Sequence, residues 1–358
     1  MTGIGRYLLD LLKYIPATDD NAYYLFSYRG ATVVNERFVS IPTAPRFVSS
    51  KLYSPFWLLK VLPKYLKQHE IDVLFSPNFF APPKQKSTKW KSIILVCDTF
   101  LQLREQYHSS VYSLYAKSLL QRSVKESDAI VTISQHSKTD IIRSYGATPE
   151  KIFVIYPSAG QNFNTETLGS KHRQEISQRF GLPLQFILYV GVIELRKNIL
   201  GITRIADELK RRNVNVPIVL VGRPGFGFEK IMREVSARGN IRYVSYVEEE
   251  FLPEIYRMAS VFIFPSHYEG FGIPPLEAMQ SGVPVVVSDT SSIPEVVGEA
   301  ASMFPPDDAL GFANEIIRLL ENKEYHEKRR QSGILQAAKF SAHDSAAALV
   351  QLFSLISS

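Results

Sequence analysis

The sequence has little that would cross-link the chain or place it within a membrane. Of its 358 residues one is a cysteine, Cys97, which excludes an internal disulfide and suits a reducing compartment. No apolar run approaches the roughly 20 residues that a membrane-spanning helix needs. The first residues also lack the basic stretch and apolar run of a secretory signal peptide. Together these absences predict a cytoplasmic protein.

Basic residues are in slight excess, with 41 Lys and Arg against 35 Asp and Glu and a net charge of +6. Such a balance suits an anionic ligand or surface. The basic residues are scattered and no DNA- or RNA-recognition motif accompanies them, so no nucleic-acid partner is expected. The segment Lys51–Lys67 mixes leucines, aromatics and lysines, as an interfacial helix pair would, and is compatible with peripheral contact with anionic lipid on the inner face of the plasma membrane. The alternative is an amphipathic helix whose apolar side packs into its own domain.

Short β-branched runs alternate with helical patterns throughout, which predicts an α/β fold with parallel sheets covered by helices. In the first half the predicted strands are Ile71–Phe75, Ile93–Val96, Ala129–Ile133 and Phe153–Tyr156. In the second half they are Phe186–Val190, Ile218–Val221, Ile241–Tyr243, Val261–Phe264 and Val283–Val287.

The two halves are separated by a polar, turn-rich segment, Pro157–Pro183, which predicts a domain boundary. We expect one domain over residues 1–165 and a second over 166–340, with residues 341–358 packing back on the first. At the start, the glycine turn Thr2–Gly5 runs straight into a helix. An α/β domain normally enters such a turn from its first strand, so that strand is expected to be missing from the first domain.

The segment Phe264–Gly282 is the richest in the chain, because a strand, a glycine loop and a helix follow one another. Pro274 and Pro275 open the helix where proline is tolerated, and Gly282 ends it. A helix N-terminus binds anions through its backbone N–H groups. The residues expected at this anion site are Gly270, Phe271 and Gly272.

Two carboxylates flank this glycine loop. Glu269 lies in the loop and Glu277 is predicted in the first helical turn, so both should lie at the carboxyl edge of the sheet, where ligands of such folds bind. Alternatively, Glu277 is placed there by the helix dipole and Glu269 is a solvated loop residue. Arg196 and Lys197 follow another buried strand, where adjacent cations suit a diphosphate; the alternative is a solvated basic loop.

The segment Phe264–Gly282 resembles the paired-glutamate signature of glycosyltransferase family four, the glycosyl transferases group 1. These are retaining enzymes of the GT-B fold, in which two Rossmann-like domains face each other across a donor-binding cleft. Gly191–Asn198 is similar to the donor-phosphate loop of the family. Further similar segments are Val221–Pro224, Tyr246–Leu252, Ser288–Glu295, Thr132–Asp140 and Thr2–Arg6.

The resemblance implies a mannosyltransferase-like hexosyltransferase that takes a hexose from GDP-mannose or a UDP-hexose. The acceptor would be a hydroxyl of a saccharide or of a lipid-linked acceptor, in polysaccharide or glycolipid assembly. The nucleotide sugar is then a co-substrate and no other cofactor is expected. No Asp-x-Asp motif points to a metal site, so the reaction is expected to be metal-independent.

The resemblance also implies roles for particular residues. Glu277 would accept hydrogen bonds from the ribose, while Glu269 and the amides after it would hold hydroxyls of the transferred sugar. Arg196 and Lys197 would stabilise the departing diphosphate. The catalytic candidates are Glu269, Arg196, Lys197 and Asp98. The donor-binding candidates are Gly3, Gly5, Cys97, Arg196, Lys197, Arg223, Glu269, Gly270, Phe271, Gly272, Ile273 and Glu277.

One departure from the family pattern is the pair Cys97-Asp98, where the family usually has His-Asp. A thiol is a weak donor and a poor substitute for imidazole, although its backbone carbonyl could still position the sugar. The alternative is that Cys97 has no role in binding and is a small buried residue at the end of a strand. An impaired nucleotide-sugar-binding homologue or partner subunit is therefore the alternative function. A dehydrogenase or epimerase is disfavoured because Leu8 stands where a third glycine would follow Gly3 and Gly5.

Overall fold

The computed structural model describes residues 3–27, 36–43, 56–77, 79–98 and 110–358. The chain forms two compact units, which we call the first unit (residues 1–157 and 341–358) and the second unit (158–340). The boundary expected after residue 165 thus lies inside the second unit. Within the described ranges, no helix combines the length and apolar character needed to cross a membrane.

The described strands of the first unit lie in two separate parallel sheets. Strands β3, β4, β5 and β6 pair in that order, and β1 pairs with β2 in a two-stranded sheet. The strands are β1 (Tyr23–Ser27), β2 (Phe38–Pro42), β3 (Val73–Ser76), β4 (Lys91–Leu95), β5 (Ala129–Thr132) and β6 (Ile152–Val154). The helices are α1 (Gly3–Lys13), α2 (Leu62–Gln68, after a π-helical turn over Trp57–Val61), α3 (Ser110–Glu126) and α4 (Gln135–Tyr145).

The last helix of the chain, Ala342–Ser357, belongs to the first unit and packs against α1 and β3. The ring of Phe353 contacts both Tyr23 of β1 and Phe75 of β3, at centroid distances of 6.3 and 6.0 Å. The Ser345 hydroxyl donates to the carbonyl of Tyr156 at 2.6 Å. This helix therefore ties the two sheets of the first unit together.

Three leucines of the segment Lys51–Lys67 are buried. Residues 51–55 lie outside the described residues, and beyond them Leu58, Leu62 and Leu66 are buried in a cluster with Leu74 and Trp90. The interpretation as an interfacial helix pair is therefore wrong for these leucines, because the interior of their own unit already covers them. Lysines on the other side of the segment, Lys60, Lys64 and Lys67, are exposed.

The second unit is built on a six-stranded parallel sheet of order β12-β11-β10-β7-β8-β9. The strands are β7 (Ile187–Val190), β8 (Ile218–Val221), β9 (Ile241–Val244), β10 (Val261–Phe264), β11 (Val285–Ser288) and β12 (Ser302–Phe304). The helices are α5 (Ser170–Phe180), α6 (Ile199–Arg211), α7 (Phe228–Ser236), α8 (Leu252–Met258), α9 (Ile273–Gln280), α10 (Ile293–Val297), α11 (Ala309–Glu321) and α12 (Lys323–Ala337).

The centre of this sheet is apolar on both faces. Every residue of Ile187–Val190, Ile218–Val221 and Val261–Phe264 is buried, as expected for parallel strands that carry helices on both sides. From β7 the chain adds β8 and β9 on one side, whereas β10, β11 and β12 follow on the other side. The strand order thus reverses between β7 and β10. In open α/β sheets the crevice beyond the carboxyl ends at such a switch point is where ligands bind.

Candidate active site

The loop after β7 presents two cations at the switch point. Arg196 and Lys197 belong to a single 3-10 turn, Leu195–Lys197, which ends at Asn198. Asn198 has a left-handed conformation (φ 54°), and its side chain caps α6 by accepting from the N–H of Gly201 at 3.0 Å. This local geometry fixes the turn between a buried strand and a helix.

The two cations meet the loop that follows β10. Lys197 Nζ donates to both carboxylate oxygens of Glu269, at 2.6 and 2.7 Å. Arg196 Nη1 donates to the carbonyl of Tyr268 at 2.6 Å and lies 3.5 Å from Glu269 Oε2. Its Nε and Nη2 reach Glu194 Oε1 at 3.1 and 2.8 Å. The charged cluster therefore spans the junction between β7 and β10.

Burial distinguishes this cluster from a surface ion pair. The side chains of Lys197 and Glu269 are 11% and 9% exposed, and that of Arg196 is 20% exposed. The alternatives of a solvated basic loop and a solvated Glu269 are therefore wrong. Buried charges are costly unless they are paired and hydrogen-bonded, and these are paired with each other.

The electrostatics keep the carboxylate of the pair ionised. Burial disfavours the charge of Glu269, but the nearby Lys197 and Arg196 outweigh this effect and hold the pKa of Glu269 below its usual value. Burial lowers the pKa of Lys197, and the charge of Glu269 opposes that shift in part. The site therefore holds an ammonium and a guanidinium in a place with little water, which suits an anionic ligand.

Serine hydroxyls at the end of β11 and in the loop after it form hydrogen bonds with the backbone of the Glu269 loop. The N–H of Glu269 donates to Ser291 Oγ at 2.9 Å, and Ser292 Oγ donates to the carbonyls of Glu269 and Phe271 at 3.0 and 2.8 Å. Ser288 Oγ donates to the carbonyl of Ser266 at 2.7 Å. The sequence identified this stretch as similar to the family but assigned it no role, because hydroxyl-to-backbone contacts across 21 to 23 residues leave no local pattern.

Helix α9 begins directly at the glycine loop. Gly272 is its N-cap with φ 113°, and a Cβ there would lie 2.7 Å from Ile293 Cδ1, so the position requires glycine. Gly270 and Gly272 are buried, and Ile273 is the first helical residue. The ring of Phe271 packs against Phe340 at a centroid distance of 5.5 Å.

Glu277 lies just beyond the first turn of α9. The helix starts at Ile273, and its first turn holds no acidic residue, so the helix dipole does not account for Glu277. The prediction that Glu277 belongs to the first turn is wrong, because the helix begins at Ile273, four residues before Glu277. Glu277 is 2% exposed and accepts a hydrogen bond from the Tyr256 hydroxyl at 2.8 Å. Tyr256 had no signal in the sequence.

The loop after β8 lies against the cationic loop. A Cβ on Gly222 would overlap the carbonyl oxygen of Gly191, and the N–H of Ile193 donates to the carbonyl of Arg223 at 2.9 Å. The Arg223 side chain is exposed. The glycine at 222 therefore allows two loops of the site to touch through their backbones.

The remaining candidates lie in the first unit. Gly3 and Gly5 belong to α1 and not to a turn, and Thr2 lies outside the described residues. Cys97 follows β4 and is 2% exposed, and its carbonyl accepts from Ser137 Oγ at 2.9 Å. Burial, and then the charge of Asp98, raise the pKa of the thiol well above its usual value, so it stays protonated. Nowhere in the described ranges do three His, Cys, Asp or Glu side chains cluster as metal ligands would.

Comparison with known proteins assigns the family. The model of "Glycosyl transferases group 1" matches residues 172–336, and that of "Glycosyltransferase Family 4" matches residues 1–158. The O-antigen chain mannosyltransferase B of Escherichia coli is 28% identical over 379 aligned residues, which cover 99% of this chain and 97% of that protein.

Solved structures share the fold. WaaG, a glycosyltransferase involved in lipopolysaccharide biosynthesis, superposes with a TM-score of 0.74 at 14% identity, over 99% of this chain and 96% of that one. Anabaena HepE, solved in complex with UDP and glucose, gives a TM-score of 0.71 at 18% identity, over 99% and 96% of the two chains. These neighbours have the GT-B fold. The chain belongs to glycosyltransferase family four, the glycosyl transferases group 1.

Proposed function

We propose that this glycosyltransferase moves mannose from GDP-mannose to a hydroxyl of a growing O-antigen-type saccharide, with retention of the anomeric configuration. The observation that carries the proposal is the buried cluster of Lys197, Arg196 and Glu269 at the switch point of the second unit. The choice of mannose follows the name of the Escherichia coli relative, which resembles this chain along almost its whole length.

The diphosphate is assigned to Arg196 and Lys197. Both contact the loop that leads into α9, through Tyr268 and Glu269, so the cations and the backbone N–H groups at the helix start serve the same loop. As the bond between the sugar and the diphosphate breaks, negative charge grows on the departing oxygens. Preorganised donors of this kind are each worth about 3–4 kcal/mol in other enzymes, which makes electrostatic stabilisation the main contribution of the protein.

Glu269 is assigned to positioning and not to nucleophilic attack. Both of its oxygens already accept hydrogen bonds from the Lys197 ammonium, which weakens their nucleophilicity. The proposed step is therefore a front-face displacement. The acceptor oxygen bonds to the anomeric carbon on the side from which the diphosphate leaves, and the acceptor proton passes to the departing phosphate oxygen. Glu277 accepts from the ribose, and Glu269 with the amides after it holds hydroxyls of the sugar.

A donor panel tests this proposal. GDP-mannose, GDP-glucose, UDP-glucose and UDP-galactose are each incubated with a short mannoside acceptor, and nucleotide release is followed with product mass. We expect GDP release with GDP-mannose, and an anomeric NMR coupling in the product that matches the α-configuration of the donor. An inverted product would refute the front-face step. Donor binding without release in any arm would favour the impaired nucleotide-sugar-binding homologue that Cys97 suggests.

Peripheral membrane contact is the second part of the proposal. Lys60, Lys64 and Lys67 are exposed and spaced along one helical face, opposite the buried leucines of the same segment. Basic residues near an anionic bilayer contribute about 1 kcal/mol each, so changing all three to Glu should weaken binding to phosphatidylglycerol vesicles by about 100-fold or more. Vesicle flotation measures this binding. The matched control reverses three exposed lysines of the second unit, Lys171, Lys210 and Lys230, and an equal loss there would contradict a dedicated surface.

A further inference from the structure

The hydroxyl of Tyr256 lies in the interior of the second unit, beside the carboxylate assigned to the donor ribose. Tyr256 is fully buried, and its hydroxyl donates to Glu277 Oε2 at 2.8 Å. The residue comes from α8, whereas Glu277 comes from α9. The contact therefore joins a helix that carries no candidate donor ligand to the helix that follows the glycine loop.

Aromatic packing fixes the phenol ring. The ring of Phe163 contacts it edge-on at a centroid distance of 5.5 Å with planes 78° apart, and Phe262 of β10 contacts it at 5.5 Å. A ring held between two others has few alternative rotamers, so its hydroxyl stays at one place. The hydroxyl that donates a hydrogen bond to Glu277 is therefore held in one position.

The Glu277 carboxylate requires a fixed hydrogen-bond donor for two physical reasons. A carboxylate that is 2% exposed has lost most of its water and is costly unless hydrogen bonds replace that water. A flexible glutamate side chain must also be held in one orientation if it is to meet a ligand hydroxyl. A carboxylate accepts about four hydrogen bonds, so the bond from Tyr256 leaves capacity for a ribose.

We propose that Tyr256 is a positioning residue for donor binding, which acts by holding the Glu277 carboxylate in the orientation that accepts the ribose hydroxyls. This inference rests on the proposed function, since it assumes that Glu277 binds the ribose of a nucleotide sugar. It predicts that the Tyr256 hydroxyl contributes to nucleotide affinity only when the nucleotide carries ribose hydroxyls.

The second unit contains a matched control. The Tyr325 hydroxyl donates to Glu315 Oε1 at 2.7 Å, and Glu315 is 7% exposed. This pair lies on α11 and α12, which carry none of the candidate donor ligands. Y256F and Y325F therefore each delete one phenol-to-carboxylate hydrogen bond from a buried carboxylate of the same unit.

The test is calorimetry of the wild type, Y256F and Y325F with GDP, UDP and the 2′,3′-dideoxy form of each. With whichever nucleotide the wild type binds, we expect Y256F to bind about tenfold more weakly, the range of a charge-assisted hydrogen bond. The dideoxy form should bind Y256F and the wild type equally. Y325F should match the wild type on both forms, while the thermal unfolding of the two variants shifts to a similar extent.

Two results would overturn the inference. An equal loss of affinity for the ribose and dideoxy forms would mean that Tyr256 supports the fold in general and does not act through the ribose. Unchanged affinity of Y256F for the ribose form would remove it from donor binding altogether. If the wild type binds neither nucleotide, the proposed function itself fails, and that result is distinct from either of these.

Discussion

Replacing Glu269 by Gln removes the negative charge at the centre of the site while keeping its shape. In the wild type, Lys197 Nζ donates to both Glu269 oxygens, and Arg196 Nη1 lies 3.5 Å from one of them. The amide retains one acceptor oxygen and replaces the other with a donor. E269Q thus leaves an ammonium that is 11% exposed without its counter-charge.

The size of the effect follows from that burial. Removing one partner of a buried ion pair destabilises a protein by about 3–5 kcal/mol. Because the amide oxygen still accepts one hydrogen bond and Lys197 keeps a little solvent contact, we expect the lower end, about 3 kcal/mol. The stability of the wild type should also depend on pH. Because folding lowers the pKa of Glu269, the Lys197–Glu269 ion pair stabilises the fold fully above about pH 4.3, the pKa of an unfolded glutamate. This stabilisation is lost as the pH falls through the lowered pKa of the folded state.

Urea unfolding with and without GDP measures these effects. We expect E269Q to lose stability and sugar transfer but to bind GDP at least as tightly as the wild type, because the anion supplies the missing charge. E315Q is the control. Glu315 accepts from the hydroxyls of Ser302 and Tyr325, and its Oε2 lies 3.9 Å from Nη1 of the exposed Arg318, a weak ion pair, so E315Q should lose about 1 kcal/mol with no change in GDP affinity. An E269Q protein as stable as the wild type to within about 0.5 kcal/mol, or one with weakened GDP binding, would refute the reasoning.

Two further predictions concern the backbone of the site and its independence of metal. Gly222→Ala should lower the affinity for the nucleotide-sugar donor, measured by calorimetry, by about tenfold or more, because the added methyl group displaces the Gly191 carbonyl and with it the cationic loop. Gly239→Ala is the control and should leave this affinity unchanged, because a Cβ there meets nothing within 4 Å. Equal behaviour of the two would contradict this account of the loop contact. Treatment with EDTA should leave sugar transfer intact, and a loss of activity that manganese restores would reveal a metal site.

The sheet of the second unit could be predicted because its strands carry a strong local signal. The predictions Ile218–Val221 and Val261–Phe264 are confirmed to the residue, since each is an apolar run followed by glycine or proline. Helix α5 could not be predicted. It lies in the stretch taken as a turn-rich boundary, and its only buried residue is Ile176, so no apolar face marks it.

The first unit and the fine structure of the site were harder to predict. Strand β1 is half-buried at every residue, so Tyr23–Ser27 shows no alternation that would identify it. The sequence placed Lys197 and Glu269 each after a buried strand, and the structure has both strands buried. The sequence did not predict the direct pairing of Lys197 with Glu269 across 72 residues or the contact of Tyr256 with Glu277. Such contacts arise from tertiary packing, which the periodicity of the sequence does not record.

The central claim is that Arg196 and Lys197 hold the donor diphosphate, and nucleotide calorimetry on alanine variants tests it most directly. R196A and K197A should each bind GDP about tenfold or more weakly, with a smaller loss for GMP, because each removes a charge-assisted contact to a phosphate. R204A is the control, since Arg204 is exposed on α6 and pairs with the exposed Asp307 and not with Glu269. Unchanged GDP affinity and unchanged transfer in R196A and K197A would contradict the account.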